Sequence, residues 1–168
     1  MSTRGTNTAR TRIRAAVAAD AEAVWHVHTT SIRALCVGWY TEHEITVWTG
    51  RLMAEAYRRA IEVHVMMVAE RDGGGDVVGF AELDVERGEV VAVYVLPAVA
   101  GQGIGSELLA HLEETARAAG LSRLILCASL NAEAFYEHRG WRAGDREKHR
   151  LTPGVAVDCV RMEKALLA

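Results

Sequence analysis

The sequence places three glycines within five residues, Gly101-Gln102-Gly103-Ile104-Gly105, directly after the apolar run Val93-Tyr94-Val95-Leu96-Pro97. Ser106 follows and opens a segment with apolar residues at helical spacing. A strand that ends, a glycine loop and a helix that starts at once aim several unbonded backbone N–H groups at one point, where the helix dipole adds partial positive charge. Glycine lets the backbone take positive φ and approach a bulky anion. The chemistry expected of this segment is a phosphate or pyrophosphate cradle. A nucleoside triphosphate loop needs Lys-Ser/Thr after its last glycine, but Gly105 is followed by Ser106-Glu107. A dinucleotide fingerprint needs G-x-G-x-x-G and an acid at the end of the next strand. Here the spacing is G-x-G-x-G, and that strand ends in Cys127-Ala128-Ser129.

Other reactive residue types are scattered. The seven histidines show no zinc-ligand spacing, and His26 and His28, two apart, face different sides of a helix. No metal is expected. Cys36, Cys127 and Cys159 are odd in number, widely spaced and without C-x-x-C, which fits free thiols in a reducing cytoplasm. Cys127 sits in an apolar run and is expected to be packed rather than reactive.

The elements that must position the glycine loop follow from the apolar periodicity. Residues 11–17 read as a first strand. Asp20 reads as the N-cap of a helix whose stripe carries Val24, Val27, His28, Ser31 and Leu35, and Gly38 ends it. Thr41 and Glu44 have capping-box spacing and open a second helix through Ile45 and Trp48, interrupted at Gly50 and continuing over 52–60. Three strands follow, one from Val63, one over 77–85 and one over 89–96. The turns Asp72-Gly73-Gly74-Gly75-Asp76 and Glu86-Arg87-Gly88 join them as an antiparallel meander. Beyond the glycine loop, Leu108, Leu109, Leu112 and Ala116 mark the apolar face of a helix over 106–119. Its outward residues are Glu107, His111, Glu113, Glu114 and Arg117, and Gly120 stops it. A buried strand over 123–128, a short helix over 131–139 and two strands around Thr152-Pro153-Gly154 complete the order β-α-α-β-β-β-α-β-α-β-β. That is an α+β plan with one crossover helix inside a mixed sheet.

With 168 residues, 50% apolar and 24% charged, the chain is expected to form one domain over 11–168 after a disordered arm over 1–10. A net charge of −3 gives no electrostatic case for nucleic acid. The longest apolar run falls far short of the ~18 residues a membrane span needs. Arg4, Arg10, Arg12 and Arg14 are followed by no apolar h-region, so a cytoplasmic location is expected rather than secretion.

Two segments resemble the GNAT superfamily of N-acetyltransferases. The loop is similar to that family's acyl-CoA pyrophosphate pattern, [QR]-x-x-G-x-[GA], with Gly103 and Gly105 at the two small positions and Ala100 at the Gln/Arg position. Phe135-Tyr136-Glu137-His138-Arg139-Gly140-Trp141 resembles the family's short helix, which ends in an aromatic–Tyr pair followed by Gly-aromatic. Seven residues before Tyr136, where the family has a CoA-contacting Asn, stands Ser129, with Asn131 nearby. The resemblance implies a GNAT-like mixed, mainly antiparallel sheet flanked by helices. It also implies direct transfer of an acetyl group from acetyl-CoA, as cosubstrate, to a primary amine.

The resemblance assigns the pyrophosphate to the amides of Gly101, Gln102, Gly103, Ile104, Gly105 and Ser106, and the pantetheine arm to the backbone of Val93, Tyr94 and Val95. Ser129 and Asn131 are further CoA contacts. Tyr136 is the implied general acid toward the departing thiolate. Glu89, eleven residues before Ala100, is the implied general base, directly or through a water relay, with Glu82 and Asp84 on the neighbouring strand as competitors. A base is needed because an alkyl amine, with a pKa near ~10.4, must lose its proton before it attacks. On an unbroken strand Glu89, Val91, Val93 and Val95 share a face, and a bulge would change that alignment.

In this superfamily the acceptor site lies among the first helices, their connecting loop and the last strands, which here carry Trp39, Tyr40, Glu42, His43, Glu44, Trp48 and Trp141. Aromatic and acidic groups together suit a cationic amine. Arg142, Arg146, Lys148, His149 and Arg150 suit an acidic group on the acceptor instead. The expected partner is a small-molecule or peptide amine, and the last strands offer a surface for a homodimer. The alternative reading is a non-catalytic acyl-CoA-binding regulatory module that keeps the cradle, since Ala100 and Ser129 are off the family pattern.

Overall fold

A computed structural model describes residues 10–167. The arm expected over 1–10 lies outside the described residues except for Arg10, whose C=O accepts the Asp72 N–H at 2.8 Å. The strands are β1 (Thr11–Ala15), β2 (Val65–Arg71), β3 (Val77–Asp84), β4 (Glu89–Val95), β5 (Arg123–Ser129), β6 (Arg142–Thr152) and β7 (Val155–Ala165). They form one sheet in the order β1-β2-β3-β4-β5-β7-β6, antiparallel throughout except for the parallel pair β4–β5. The helices are α1 (Ala21–Leu35), α2 (Glu42–Gly50), α3 (Ala54–Val63), α4 (Ile104–Ala118) and α5 (Glu133–Glu137), and α4 makes the crossover from β4 to β5. This is the expected α+β plan with one helix more.

The extra helix comes from a break the periodicity did not show. Thr41 and Glu44 cap α2 reciprocally, as expected. The helix then ends at Gly50, and Met53 turns extended (φ −134°, ψ 136°) to start α3 as a separate element. Trp25 fixes that turn by donating its Nε1–H to the Leu52 C=O at 2.9 Å.

Two apolar layers sandwich the sheet. On one face Leu108, Leu109, Leu112 and Ala116 of α4 pack against Ala81, Leu83, Leu124, Leu126 and Met162. On the other, Val24 and Val27 of α1 and Tyr57 of α3 cover Val68, Phe80 and Ala92. The approach of α4 is close at Gly79, where an added Cβ would stand 3.0 Å from Val95 and 3.1 Å from Leu108. Glu113, expected outward, is buried instead. Lys164 Nζ donates to both of its carboxylate oxygens at 2.9 and 3.0 Å, and Trp141 Nε1–H to one of them at 3.1 Å, so α4 is tied to β7 by a paired, hydrogen-bonded charge.

The free-thiol expectation is overturned for two of the three cysteines. Because β5 and β7 pair antiparallel, Cys127 and Cys159 are brought to a Cα–Cα distance of 5.7 Å and form a disulfide, while Cys36 is free and buried. A separation of 32 residues carries no sign of that register in the sequence. Cys127 is also not packed: it stands on the exposed face of β5. Among the described residues no helix is long and apolar enough to cross a membrane.

Candidate active site

The parallel neighbours β4 and β5 share a single register pair, Glu89 with Ile125, where the Ile125 N–H donates to the Gly88 C=O at 2.9 Å. Beyond that pair they separate, and a wedge opens toward their C-terminal ends. The Leu96 N–H donates to the Val78 C=O at 2.8 Å. By the alternation of an antiparallel pair, the backbone groups of Tyr94 therefore also turn to β3, and the N–H groups of Val93 and Val95 face the wedge. The Val95 C=O accepts the Ser31 hydroxyl from α1. Of the three backbone positions expected to serve the cofactor, Val93 and Val95 have amides suited to it and Tyr94 does not.

A cavity of about 430 Å³ occupies the wedge on the side of α4 and α5. Gly101 (φ 78°) and Gly103 (φ 87°) are both left-handed, and Gly103 is the N-cap of α4. The first bond of α4 runs from the Glu107 N–H to the Gly103 C=O at 3.1 Å, which leaves the Ile104, Gly105 and Ser106 amides ahead of it. An added Cβ at Gly101 or Gly103 would meet nothing within 4 Å, so these positions need the backbone angle rather than the space. Gly105 differs, because a Cβ there would sit 3.4 Å from the Phe135 ring. Gln102 does not line the cavity, and the Ile104 side chain is buried in the α4 core, so only their backbones can serve the cradle.

Arg139 is the residue the sequence reading missed. Its guanidinium stacks on Phe135, 3.9 Å from the ring centroid, and donates to the Phe135 C=O at 2.8 Å and to Ser106 Oγ from Nε at 2.7 Å. It thus holds a fixed positive charge at the mouth of the glycine loop, where Ala100 brings none. Its place in the short helix motif was visible, but its contact with Ser106 depends on the docking of α5 against α4. Tyr136 also lines this cavity, buried between Phe135 and Trp141 with ring centroids at 5.0 and 5.8 Å. Burial pushes its phenol well above the usual range, so the hydroxyl stays protonated and can only donate a proton. Ser129 and Asn131 line the cavity as well, and Asn131 Oδ1 accepts the Cys36 thiol at 3.4 Å.

A second cavity, about 340 Å³, lies on the opposite side of the wedge among α1, α2, β6 and β7. Val90, Val91, Tyr94, Cys127 and Ser129 line both, so the two spaces meet through the sheet. Glu89 belongs to the second. A bulge between Glu82 and Leu83 sets Leu83 opposite Val90 and Glu82 opposite Ala92, which leaves Val91 unpaired and exposed. The bulge turns Glu89 onto the face of Ala92 and Tyr94, not the face of Val93 and Val95 given by an unbroken strand. Its carboxylate is part-buried and pairs with Arg87 at 3.2 Å. The competing acids line neither cavity: Glu82 is buried and bonded to His64 at 2.7 Å, and Asp84 lies 3.5 Å from the same imidazole.

The other walls of this cavity only partly match expectation. Tyr40 and Trp48 line it, packed edge to face with centroids 5.4 Å apart. The Tyr40 hydroxyl donates to the Asp158 C=O at 2.6 Å and accepts the Leu130 N–H at 2.9 Å, which locks β7 to the end of β5. Trp39, Glu42, His43, Glu44 and Trp141 do not reach it. Glu44 is held in its capping box and Trp141 is buried against Glu113. His149 of the expected basic set lines it, and so does His28. His28 stacks on Tyr94 (centroids 4.1 Å apart), bonds the Tyr57 hydroxyl at 2.6 Å through Nδ1, and is held neutral because burial pushes its pKa down to about 3. Among the described residues no group of three or more His, Cys, Asp or Glu is placed to hold a metal.

A family model described as an acetyltransferase (GNAT) domain matches residues 36–166. The structure is similar to a GCN5-related N-acetyltransferase (aminotransferase, class II) from Rhodopseudomonas palustris, with a TM-score of 0.84 and 28% identity over 92% of this chain and 95% of that one. It is also similar to a ribosomal-protein-alanine N-acetyltransferase from Brucella melitensis (TM-score 0.68, 28% identity, 92% and 99% covered). A third similar structure is the PaiA N-acetyltransferase from Thermoplasma acidophilum solved with coenzyme A (TM-score 0.77, 23% identity, 93% and 99% covered). No curated protein matches the chain. With a splayed β4–β5 pair, a glycine cradle at the head of α4 and a family model that spans most of its length, the chain belongs to the GNAT acetyltransferase family.

Proposed function

We propose that the protein transfers an acetyl group from acetyl-CoA to the primary amine of a small molecule, with Glu89 as general base and Tyr136 as general acid. The observation that carries this reading is the meeting of two cavities through the β4–β5 wedge, one with an anion cradle and the other with a carboxylate. When bound, acetyl-CoA supplies the activated acyl group. The amides of Ile104, Gly105 and Ser106, at the positive end of α4, suit its pyrophosphate, and Arg139 adds a formal charge beside them. The Val93 and Val95 amides suit the pantetheine arm in the manner of an added strand.

On the other side, Glu89 takes the proton of the incoming ammonium, directly or through water, so that the amine can attack as a neutral nucleophile. The contact with Arg87 at 3.2 Å fixes the carboxylate at the edge of the cavity. Tyr136 gives a proton to the departing thiolate. A buried phenol with a raised pKa is a weak acid, so its contribution rests on position and amounts to about 10–100-fold in rate.

The test is release of CoA thiol from acetyl-CoA with a panel of primary amines, in the wild type and in Tyr136→Phe. Amine-dependent release is expected, lowered about 10–100-fold in kcat by the substitution. Binding of acetyl-CoA without release for any amine would establish a binding module in place of an enzyme. An unchanged kcat in Tyr136→Phe would remove that residue from the chemistry.

A further inference from the structure

The acceptor cavity carries an unmatched positive charge. Arg51, at the C-terminal cap of α2, lines it and makes no ion pair or side-chain hydrogen bond with any described residue. The two acids of the cavity are matched from outside it: Glu89 by Arg87 at 3.2 Å and Asp158 by Lys148 at 2.6 Å. Of the basic run of β6, Arg142 pairs with Glu163 and Lys148 with Asp158, and Arg142, Arg146, Lys148 and Arg150 do not line the cavity, which leaves His149 as that run's one contribution to its wall. His28 adds no charge, being held neutral by burial. Aromatic and aliphatic side chains, Tyr40, Trp48, Leu52 and Leu151, form the wall between these groups.

We infer that the acceptor is a primary amine that also bears a carboxylate, a free amino acid or a close relative, with its amine toward Glu89 and its carboxylate paired with Arg51. This rests on the acetyl-transfer reading of the site. Glu89, next to the shared residues Val90 and Val91, is the acid nearest the wedge where transfer would occur, so the amine belongs there. Arg51 stands on a different element and repels a second cation, which disfavours diamines and polyamines. Its guanidinium presents paired donors that match a carboxylate. The cavity volume of about 340 Å³ suits one small molecule with a short apolar skeleton.

The experiment uses protein saturated with CoA for binding and acetyl-CoA for turnover. The probes are the L-amino acids with their carboxamides, the straight-chain ω-amino acids with theirs, and 1,4-diaminobutane. Amino carboxylates are expected to bind the CoA-loaded protein and to be acetylated with kcat/KM about tenfold or more above their carboxamides, a preference that weakens with added salt. Arg51→Gln should collapse that ratio by raising KM for the carboxylates, and Arg51→Lys, which keeps the charge, should retain most of it. Carboxamides or diaminobutane equal to the carboxylates, or a ratio unmoved by Arg51→Gln, would overturn the inference. CoA binding measured first separates the two claims. If CoA binds and no amino carboxylate does, the substrate class is wrong while the acetyl-transfer reading stands. If CoA itself does not bind, the acetyl-transfer reading fails and the inference with it.

Discussion

The two cavities that meet at the β4–β5 wedge are built differently. The cofactor side takes most of its wall from short, continuous stretches: the end of β4, the loop through Ser106, the end of β5 and the segment from Asn131 to Arg139. Its working groups are mainly backbone amides, whose direction is set by local dihedrals such as φ 78° at Gly101 and 87° at Gly103. The acceptor side draws one to four residues each from α1, α2, β4, β5, β6 and β7, with no stretch longer than three in a row. A site made of backbone can be read from a short stretch of sequence. A site made of side chains from six elements depends on register and on how helices dock.

The difference can be broken one side at a time. Glu89→Gln should have the largest effect, lowering kcat/KM for the amine about 10²–10³-fold, the range of a lost general base, while the dissociation constant for acetyl-CoA stays unchanged. Parallel loss of cofactor binding, measured by calorimetry, would show that the two sides are not separable.

Next in size is the disulfide, whose Cys127 lines both cavities and whose Cys159 lines the acceptor side alone. It closes a loop of 32 residues, for which chain entropy gives about 3–4 kcal/mol of stability. Reduction with a phosphine, or Cys159→Ser, should lower Tm by roughly 6–15 °C at ~2–4 °C per kcal/mol, and the variant should no longer respond to the phosphine. A wild-type Tm that the phosphine leaves unmoved would contradict the bond.

His28 makes the acceptor side sensitive to acid. Its folded pKa, about 3, lies below the usual 6.5, so the unfolded chain takes up the proton first. Its contribution to stability is complete above pH 6.5 and is lost as the pH falls from there toward 3. Between pH 7.5 and 5.5 the loss should be roughly 1 kcal/mol by urea unfolding, and His28→Gln should reduce the pH dependence by about that much. An unchanged pH dependence in the variant would place the titration elsewhere. The smallest effect is expected on the cofactor side: Arg139→Gln should weaken acetyl-CoA about five- to tenfold and leave KM for the amine alone. Equal affinity would mean that the amides at the head of α4 suffice.

The sequence carried the cofactor side further than the acceptor side. The glycine loop, the strand before it and the short helix with Phe135 and Tyr136 were legible because each is a local pattern, and all line one cavity. The alternation that turns the backbone groups of Tyr94 to β3 and the bulge at Val91 that swings Glu89 to the far face were not, because both depend on pairing with β3. The same holds for Cys127 with Cys159, for Lys164 with Glu113, and for the arrival of His28 and Arg51 at one cavity. In the fold, the meander and the crossover helix followed from periodicity and turns. The separation of α2 from α3 did not, since only a change of backbone angle at Met53 divides them.

The most direct test of the central claim is thermal unfolding with acetyl-CoA, NAD and ATP in separate samples. Acetyl-CoA at ~100 times its dissociation constant adds ~2.7 kcal/mol to a native state that binds it. The Tm should then rise by roughly 5–10 °C at ~2–4 °C per kcal/mol, with no rise for NAD or ATP. A folded protein whose Tm does not respond to acetyl-CoA, or responds equally to NAD, would contradict the account.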